Sequence, residues 1–341
     1  MRGALLPLFP LYAAGIGAKN LAYERGWARQ KRLRGPVVSI GNLSVGGSGK
    51  TPLTIRVAQL LRERGIAVDV LSRGYGRQSK AIEQVQLEGS AEEFGDEPLL
   101  IARAAEVPVF VGAGRYRAGL VAEAAAGAPM LHLLDDGFQH RQLARDVDIV
   151  VLHRSDFRER LLPAGRLREG FKSLSRAQII AMRAEDRELE GELRRRGCVQ
   201  PIWWMERRMD VPVAGRVVAF CAIAREDEFF SGLRSQGVNV VGMRAWRDHH
   251  RYTEGDIAEL IELRRRHDAE AFLTTEKDWV RLRPEQLRKL ENAVPVRTAR
   301  LVVRLLDEAT AIDQLCALLP VARRTQLGKE QRTPPENTVR K

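Results

Sequence analysis

The stretch Val37-Val38-Ser39-Ile40-Gly41-Asn42-Leu43-Ser44-Val45-Gly46-Gly47-Ser48-Gly49-Lys50-Thr51-Pro52 constrains this chain more than any other. A β-branched apolar run leads into a glycine-rich turn, and Leu53, Val57, Leu60 and Leu61 follow at helical spacing. The pattern reads as strand, phosphate loop and helix, with the helix N-terminus facing a bound anion. Glycines let several backbone N–H groups converge on phosphate oxygens. Lys50 can reach the β- and γ-phosphates, and the Thr51 hydroxyl is placed to ligate Mg²⁺. Gly46, Gly47, Ser48, Gly49, Lys50 and Thr51 are therefore the expected nucleotide site. Ser44 stands where the general pattern has its first glycine, but it keeps a small residue there.

Downstream of residue 66 the chain alternates strands with helices, the signature of a mostly parallel α/β sheet covered on both faces. Ala67–Leu71 is a second strand, and Ser72-Arg73-Gly74-Tyr75-Gly76-Arg77 lies at its C-terminal end, where open α/β sheets place ligands. Asp96 and Glu97, in Gly95-Asp96-Glu97-Pro98, precede a helix, and spacing alone favours an N-terminal cap there. The apolar strand Met130–Leu134 runs into Asp135-Asp136-Gly137-Phe138-Gln139-His140. Paired aspartates at the tip of a buried strand downstream of a phosphate loop suit a Mg²⁺ site. Further strands are read at Asp148–Leu152 and Gln178–Met182. Between them, Arg168-Glu169 is either a phosphate contact with a metal-shell acid or a surface ion pair.

Five segments are expected: an N-terminal helix over 1–30, a P-loop nucleotide-binding domain over 31–195, a linker over 196–213, a smaller α/β domain over 214–322 and a disordered tail over 323–341. The linker is placed where the chain turns charged and irregular, around Trp203-Trp204. In the smaller domain Arg216–Ala224, Asn239–Trp246 and Ala271–Trp279 each run from strand into a polar cluster, as though presenting strand tips to a cleft. His249-His250 lacks a third ligand at zinc spacing.

A net charge of +12 calls for an anionic partner: nucleic acid, an acidic membrane or a phosphorylated substrate. Residues 4–16 are apolar but fall short of the roughly 20 needed to span a bilayer. Leu5, Leu8, Phe9, Tyr12 and Ile16 recur at helical spacing, ahead of Lys19, Arg25, Trp27, Arg29, Lys31, Arg32 and Arg34. That order suits a helix lying on an anionic leaflet, or else a cap on the first core. Cys198, Cys221 and Cys316 form no ligand pattern and read as reduced thiols.

Taken together, the phosphate loop, Ser72-Arg73-Gly74-Tyr75-Gly76, Gly95-Asp96-Glu97-Pro98, Asp135–His140, Leu162-Pro163-Ala164-Gly165, Asp248-His249-His250 and Thr274-Thr275-Glu276-Lys277-Asp278 resemble the tetraacyldisaccharide 4'-kinase family, in order, to about residue 280. The resemblance implies an ATP- and Mg²⁺-dependent kinase that phosphorylates the 4'-hydroxyl of a tetraacylated glucosamine disaccharide 1-phosphate, the lipid A precursor. It implies the cytoplasmic face of the bacterial inner membrane, with the active site in the cleft between the two domains. Lys50 and Thr51 would then serve nucleotide and metal, and Asp135 and Asp136 the metal, with Glu169 beside them. Asp96 would be the catalytic acid–base residue, paired with His249, which directly follows Asp248, or with its neighbour His250. Arg73, Tyr75 and Arg168 would contact substrate or transition-state charge.

The chain is expected to be a monomer with no nucleic-acid partner, because its basic residues are spread rather than gathered with aromatics on one face. The competing possibility is a GTPase, an ATPase switch or a metallochaperone-type protein. Thr275-Glu276-Lys277-Asp278 imitates a guanine motif, with Glu276 where Asn belongs.

Overall fold

The computed structural model describes residues 9–212 and 215–321. Strands are numbered in chain order: β1 (Val37–Asn42), β2 (Val68–Ser72), β3 (Glu83–Gln84), β4 (Val109–Val111), β5 (Leu131–Asp135), β6 (Val147–Val151), β7 (Ile179–Arg183), β8 (Ile202–Asp210), β9 (Arg216–Cys221), β10 (Asn239–Ala245), β11 (Ala271–Thr275) and β12 (Val296–Leu305). Helices of ten residues or more are α1 (Phe9–Glu24), α2 (Lys50–Glu63), α3 (Asp96–Ala105), α4 (Arg115–Ala126), α5 (Glu226–Ser235), α6 (Glu254–His267), α7 (Pro284–Ala293) and α8 (Glu308–Leu318).

The strands form one sheet in the order β10-β9-β11-β12-β8-β7-β6-β1-β5-β2-β4-β3. Strand β1 is central to the first half, parallel to β5 on one side and β6 on the other, and every residue in it is buried. A strand covered on both faces needs no alternation, which is why Val37–Ile40 reads as a near-continuous apolar run. Leu53, Val57, Ala58, Leu60 and Leu61 turn one face of α2 into the same core. Gly41 is required for close approach, because a Cβ there would meet Phe138.

The two halves are joined by register. Strand β8 runs parallel to β7 through Met205 and is antiparallel to β12 from Met205↔Leu305 to Asp210↔Arg300. Beyond that ribbon β12 is parallel to β11, and β11 to β9. Strands β9 to β11 therefore point opposite to β1, β2 and β4 to β7. The C-terminal ends of both sets face each other across a ribbon that spans about 16 Å at 3.3 Å per residue.

Sequence and structure part company at this join. The stretch expected as a linker, 196–213, contains β8. Its interleaved Glu206, Arg207 and Arg208 disguise a strand whose side chains alternate between covered and exposed. Within 214–322, α8 returns to the first half, burying Ile312 and Leu315 in the core shared with α2 and pairing Glu308 with Arg56 at 2.7 and 2.8 Å. The tail expected at 323–341, and Leu5 and Leu8 of the N-terminal apolar face, lie outside the described residues.

Candidate active site

The phosphate loop joins β1 to α2. Gly46 and Gly49 take positive φ of 110° and 92°, and Gly49 precedes the first turn of α2 with no side chain capping it. The loop's free N–H groups are thus left for an anion. Ser48 is buried, with its hydroxyl unpartnered within the protein. A Cβ on Gly46 would strike Arg166 and would lie 3.7 Å from Ala224, so the second half reaches down to this loop.

Beside it, at the tip of β5, Asp135 is 2 % exposed and accepts from Thr54 Oγ1 at 3.2 Å. Burial, then the charges of Glu97 and Asp136, outweigh Lys50 and Thr54 and push Asp135 up to about 7. Asp136 is only half-buried; desolvation works to raise it, but Lys50 at 3.5 Å and Arg168 at 2.9 Å prevail and hold it below the usual carboxylate range. Asp136 adopts φ 51° and His249 φ 62°; the other two non-glycine residues of positive φ among the described residues, Glu106 and Asp268, close helices. Left-handed backbone away from a helix end marks a site held in place by its surroundings. An acid pushed towards neutrality by burial and then by two neighbouring carboxylates fits a cation: Asp135 and Asp136 could hold Mg²⁺, with Thr51 on the adjacent first turn of α2.

Opposite stands Asp96, the first residue of α3 and 5 % exposed. The cap that spacing favours at Asp96 is not formed: Gly95 holds the N-cap position, Asp96 Oδ1 accepts only the backbone N–H of the next residue, Glu97, at 3.0 Å, and Oδ2 faces the other half. There it meets His249 Nδ1 at 3.0 Å, Arg281 Nε at 2.8 Å and Lys277 Nζ at 3.8 Å, with a second contact from Arg281 Nη2. Burial works to raise Asp96, but His249, Lys277 and Arg281 prevail and hold it well below the usual carboxylate range. His249, not His250, is the partner. His250 bonds Asp256 at 2.9 Å and stacks on Trp246, which ties it to the start of α6. Tyr75 is 62 % exposed, and its ring lies 5.2 Å from that of His249.

Arg168 reaches Asp136 and Gln139. Glu169, the next residue, turns away from the aspartate pair: it is 3 % exposed and bound by Arg176 at 2.9 and 3.1 Å and by Asn20 at 2.9 Å. Arg73 lies on the loop after β2, where its charge is felt by Arg115 and His140.

Sequence reasoning missed Thr54, Arg115 and Arg281, and left Lys277 without a role. Thr54 lies one helical turn past Thr51, and Arg281 one turn past Asp278, so i, i+3 spacing from known motif residues was the available signal. Arg115 opens α4 after β4, and burial lowers it to about 10 beside Arg73, Asp136 and Asp135. Asp278 cannot read a guanine edge: it is fully buried and already accepts from Ala222 N, Tyr252 Oη, Thr275 Oγ1 and Arg281.

A P-loop NTPase-like sheet whose site is closed by a second set of strand tips defines the class of this protein. The family model described as LpxK, tetraacyldisaccharide-1-P 4'-kinase, matches residues 1–320. The chain is 45% identical over 325 residues to the tetraacyldisaccharide 4'-kinase of Koribacter versatilis, covering 92% of this chain and 98% of that one. It is 36% identical over 296 residues to its counterpart in Aquifex aeolicus, covering 83% and 90%. The crystal structure of the "apo" form of LpxK from Aquifex aeolicus in complex with ATP matches with a TM-score of 0.75 at 33% identity, covering 94% of this chain and 99% of that one. The chain belongs to the tetraacyldisaccharide 4'-kinase family.

Proposed function

We propose that the chain transfers the γ-phosphoryl of ATP to the 4'-hydroxyl of a tetraacylated glucosamine disaccharide 1-phosphate, with Asp96 as general base. The observation that carries this reading is the Asp96 carboxylate, buried at the edge of the nucleotide half and held at 3.0 Å by His249 from the opposite half. The sugar oxygen forms its bond to the γ-phosphorus as its proton passes to the Asp96 carboxylate. The bond from that phosphorus to the β–γ bridging oxygen breaks, and ADP leaves with the electron pair. A base this acidic suits a transition state in which the proton moves late and most catalysis is positioning and charge stabilisation. His249 orients the carboxylate, and Arg281 and Lys277 keep it ionised. The phosphate loop with Lys50 binds the donor, while Arg168, Arg73 and Tyr75 face the transferring group and acceptor. Mg²⁺ held by Asp135 and Asp136 would neutralise charge on the phosphate oxygens.

A detergent-dispersed transfer assay with labelled ATP tests the proposal. Label is expected in the disaccharide only when lipid acceptor is present; ATP consumed at the same rate without acceptor, and no labelled lipid, would favour the switch reading instead.

We further infer that the protein works as a monomer on the anionic cytoplasmic face of the inner membrane. No helix among the described residues is long and apolar enough to cross a bilayer. Phe9, Tyr12 and Ile16 of α1 are half-buried, while Leu11, Leu21 and Trp27 are exposed beside Lys19, Arg25 and Arg29. Deleting residues 1–18 is expected to release the chain from membranes, and unchanged association would remove α1 from the account.

A further inference from the structure

We propose that α1 is a working part of the phosphate site, with Asn20 and Tyr12 holding the Arg168–Glu169 turn and Glu169 acting as a bracket to α1 rather than as a metal ligand. The inference rests on the kinase reading above and adds a route by which a lipid surface reaches the phosphates.

Helix α1 has no buried residue along its length, so burial of an apolar face does not fasten it. Polar bonds do, and they land on the two loops that carry the site. Tyr12 Oη donates to the Arg168 carbonyl at 3.2 Å, and Asn20 Nδ2 to Glu169 Oε2 at 2.9 Å. Lys19 Nζ donates to the Gln139 carbonyl at 3.2 Å. Arg141 closes the set: it donates to Asn20 Oδ1 at 3.1 Å and lies over the Tyr23 ring at 5.0 Å. The side chains of those loops meet at Arg168, which donates to Asp136 and to Gln139 Oε1. The backbone of Arg168 and the backbone of its partner Gln139 are therefore both tied to α1.

Glu169 is largely taken up by these bonds. Arg176 donates to both oxygens and Asn20 to one, which uses three of the roughly four acceptor sites of a carboxylate. A metal bound through both oxygens would have to displace them. An exposed helix seated by a few partly solvated bonds shifts easily when a surface engages Leu11, Leu21 and Trp27, and Arg168 shifts with it. By linkage the effect runs both ways, so occupancy of the phosphate site tightens the seat of α1.

A double-mutant cycle on the full chain, with detergent-dispersed acceptor and no membrane, tests this. Asn20→Ala and Glu169→Gln are each expected to lower kcat about tenfold, as a misplaced positioning group does. KM for ATP and the half-saturating Mg²⁺ concentration are expected to hold within about twofold, and the double variant to equal the worse single one. Additive losses would overturn the proposal, as would a raised Mg²⁺ requirement in Glu169→Gln alone. Hydrogen exchange gives a readout independent of turnover: ATP is expected to slow exchange across Phe9–Glu24 in wild type but not in Asn20→Ala, and no slowing in wild type would sink the coupling. Melting curves confirm that each variant folds. The wild-type arm, where transfer must be seen, separates failure of the kinase reading from failure of this one.

Discussion

Asp96 and Asp135 are the same residue type, both buried, both at the cleft edge of the nucleotide half, and they are driven in opposite directions. Asp135 sits against Glu97 and Asp136 with Lys50 as its main counterweight, and rises to about 7. Asp96 faces Arg281, Lys277 and the His249 imidazole from the second half and stays far below the usual range. Neighbours, not burial, decide between them. One acid has more negative than positive charge beside it and so suits a metal. The other has its cations built into the protein, which keep it ionised without a metal.

Removing the carboxylate of Asp96 tests the comparison most severely. Asp96→Asn keeps the shape and is expected to lower kcat on the order of 10³-fold, with ATP binding retained in a fluorescence titration; comparable turnover would leave the chain without its base. Asp135→Asn comes next. In wild type, Mg²⁺ uptake near pH 7 is expected to release protons, because the metal must displace the proton that an acid at about 7 still partly carries. Calorimetry in buffers of different ionisation enthalpy reads that release, which is expected to vanish in Asp135→Asn along with about 10²-fold in activity. Arg281→Gln turns one acid towards the other. With its pKa depressed, Asp96 stays ionised well below the ordinary value near 3.9, so wild-type kcat carries no acid limb from it near neutrality. Taking away Arg281 raises that pKa, and activity is expected to begin falling at a higher pH as pH drops, with about tenfold loss at pH 7. An unmoved pH profile would show that His249 and Lys277 suffice.

The sequence held the nucleotide half in legible form because its signals are local. Val37–Ile40, the glycines and Leu53–Leu61 lie within one strand–loop–helix unit, and the Asp135-Asp136 pair ends a buried strand. The acceptor side was legible only through resemblance. Read by spacing, Asp96 is a helix cap; the structure gives that position to Gly95 instead, and the Asp96 carboxylate is held by residues more than 150 positions away. Glu169 shows the converse. Adjacent to Arg168 in sequence, it faces the opposite way, towards Asn20 and Arg176. Strands β8 and β12 escaped because arginines interleave their apolar positions, which is what a ribbon half exposed to solvent requires.

That ribbon also works as a gauge block. The length of the ribbon between the two sets of strand tips is set by how many residue pairs lie between Met205 and Asp210, so a change in the sequence alters it only in whole steps. Inserting one pair turns every following side chain to the opposite face. The smallest tolerable change is therefore two pairs, about 7 Å, more than the reach of any hydrogen bond between Asp96 and His249. Insertions or deletions in this ribbon thus move the two sets of strand tips by more than the Asp96–His249 contact can follow.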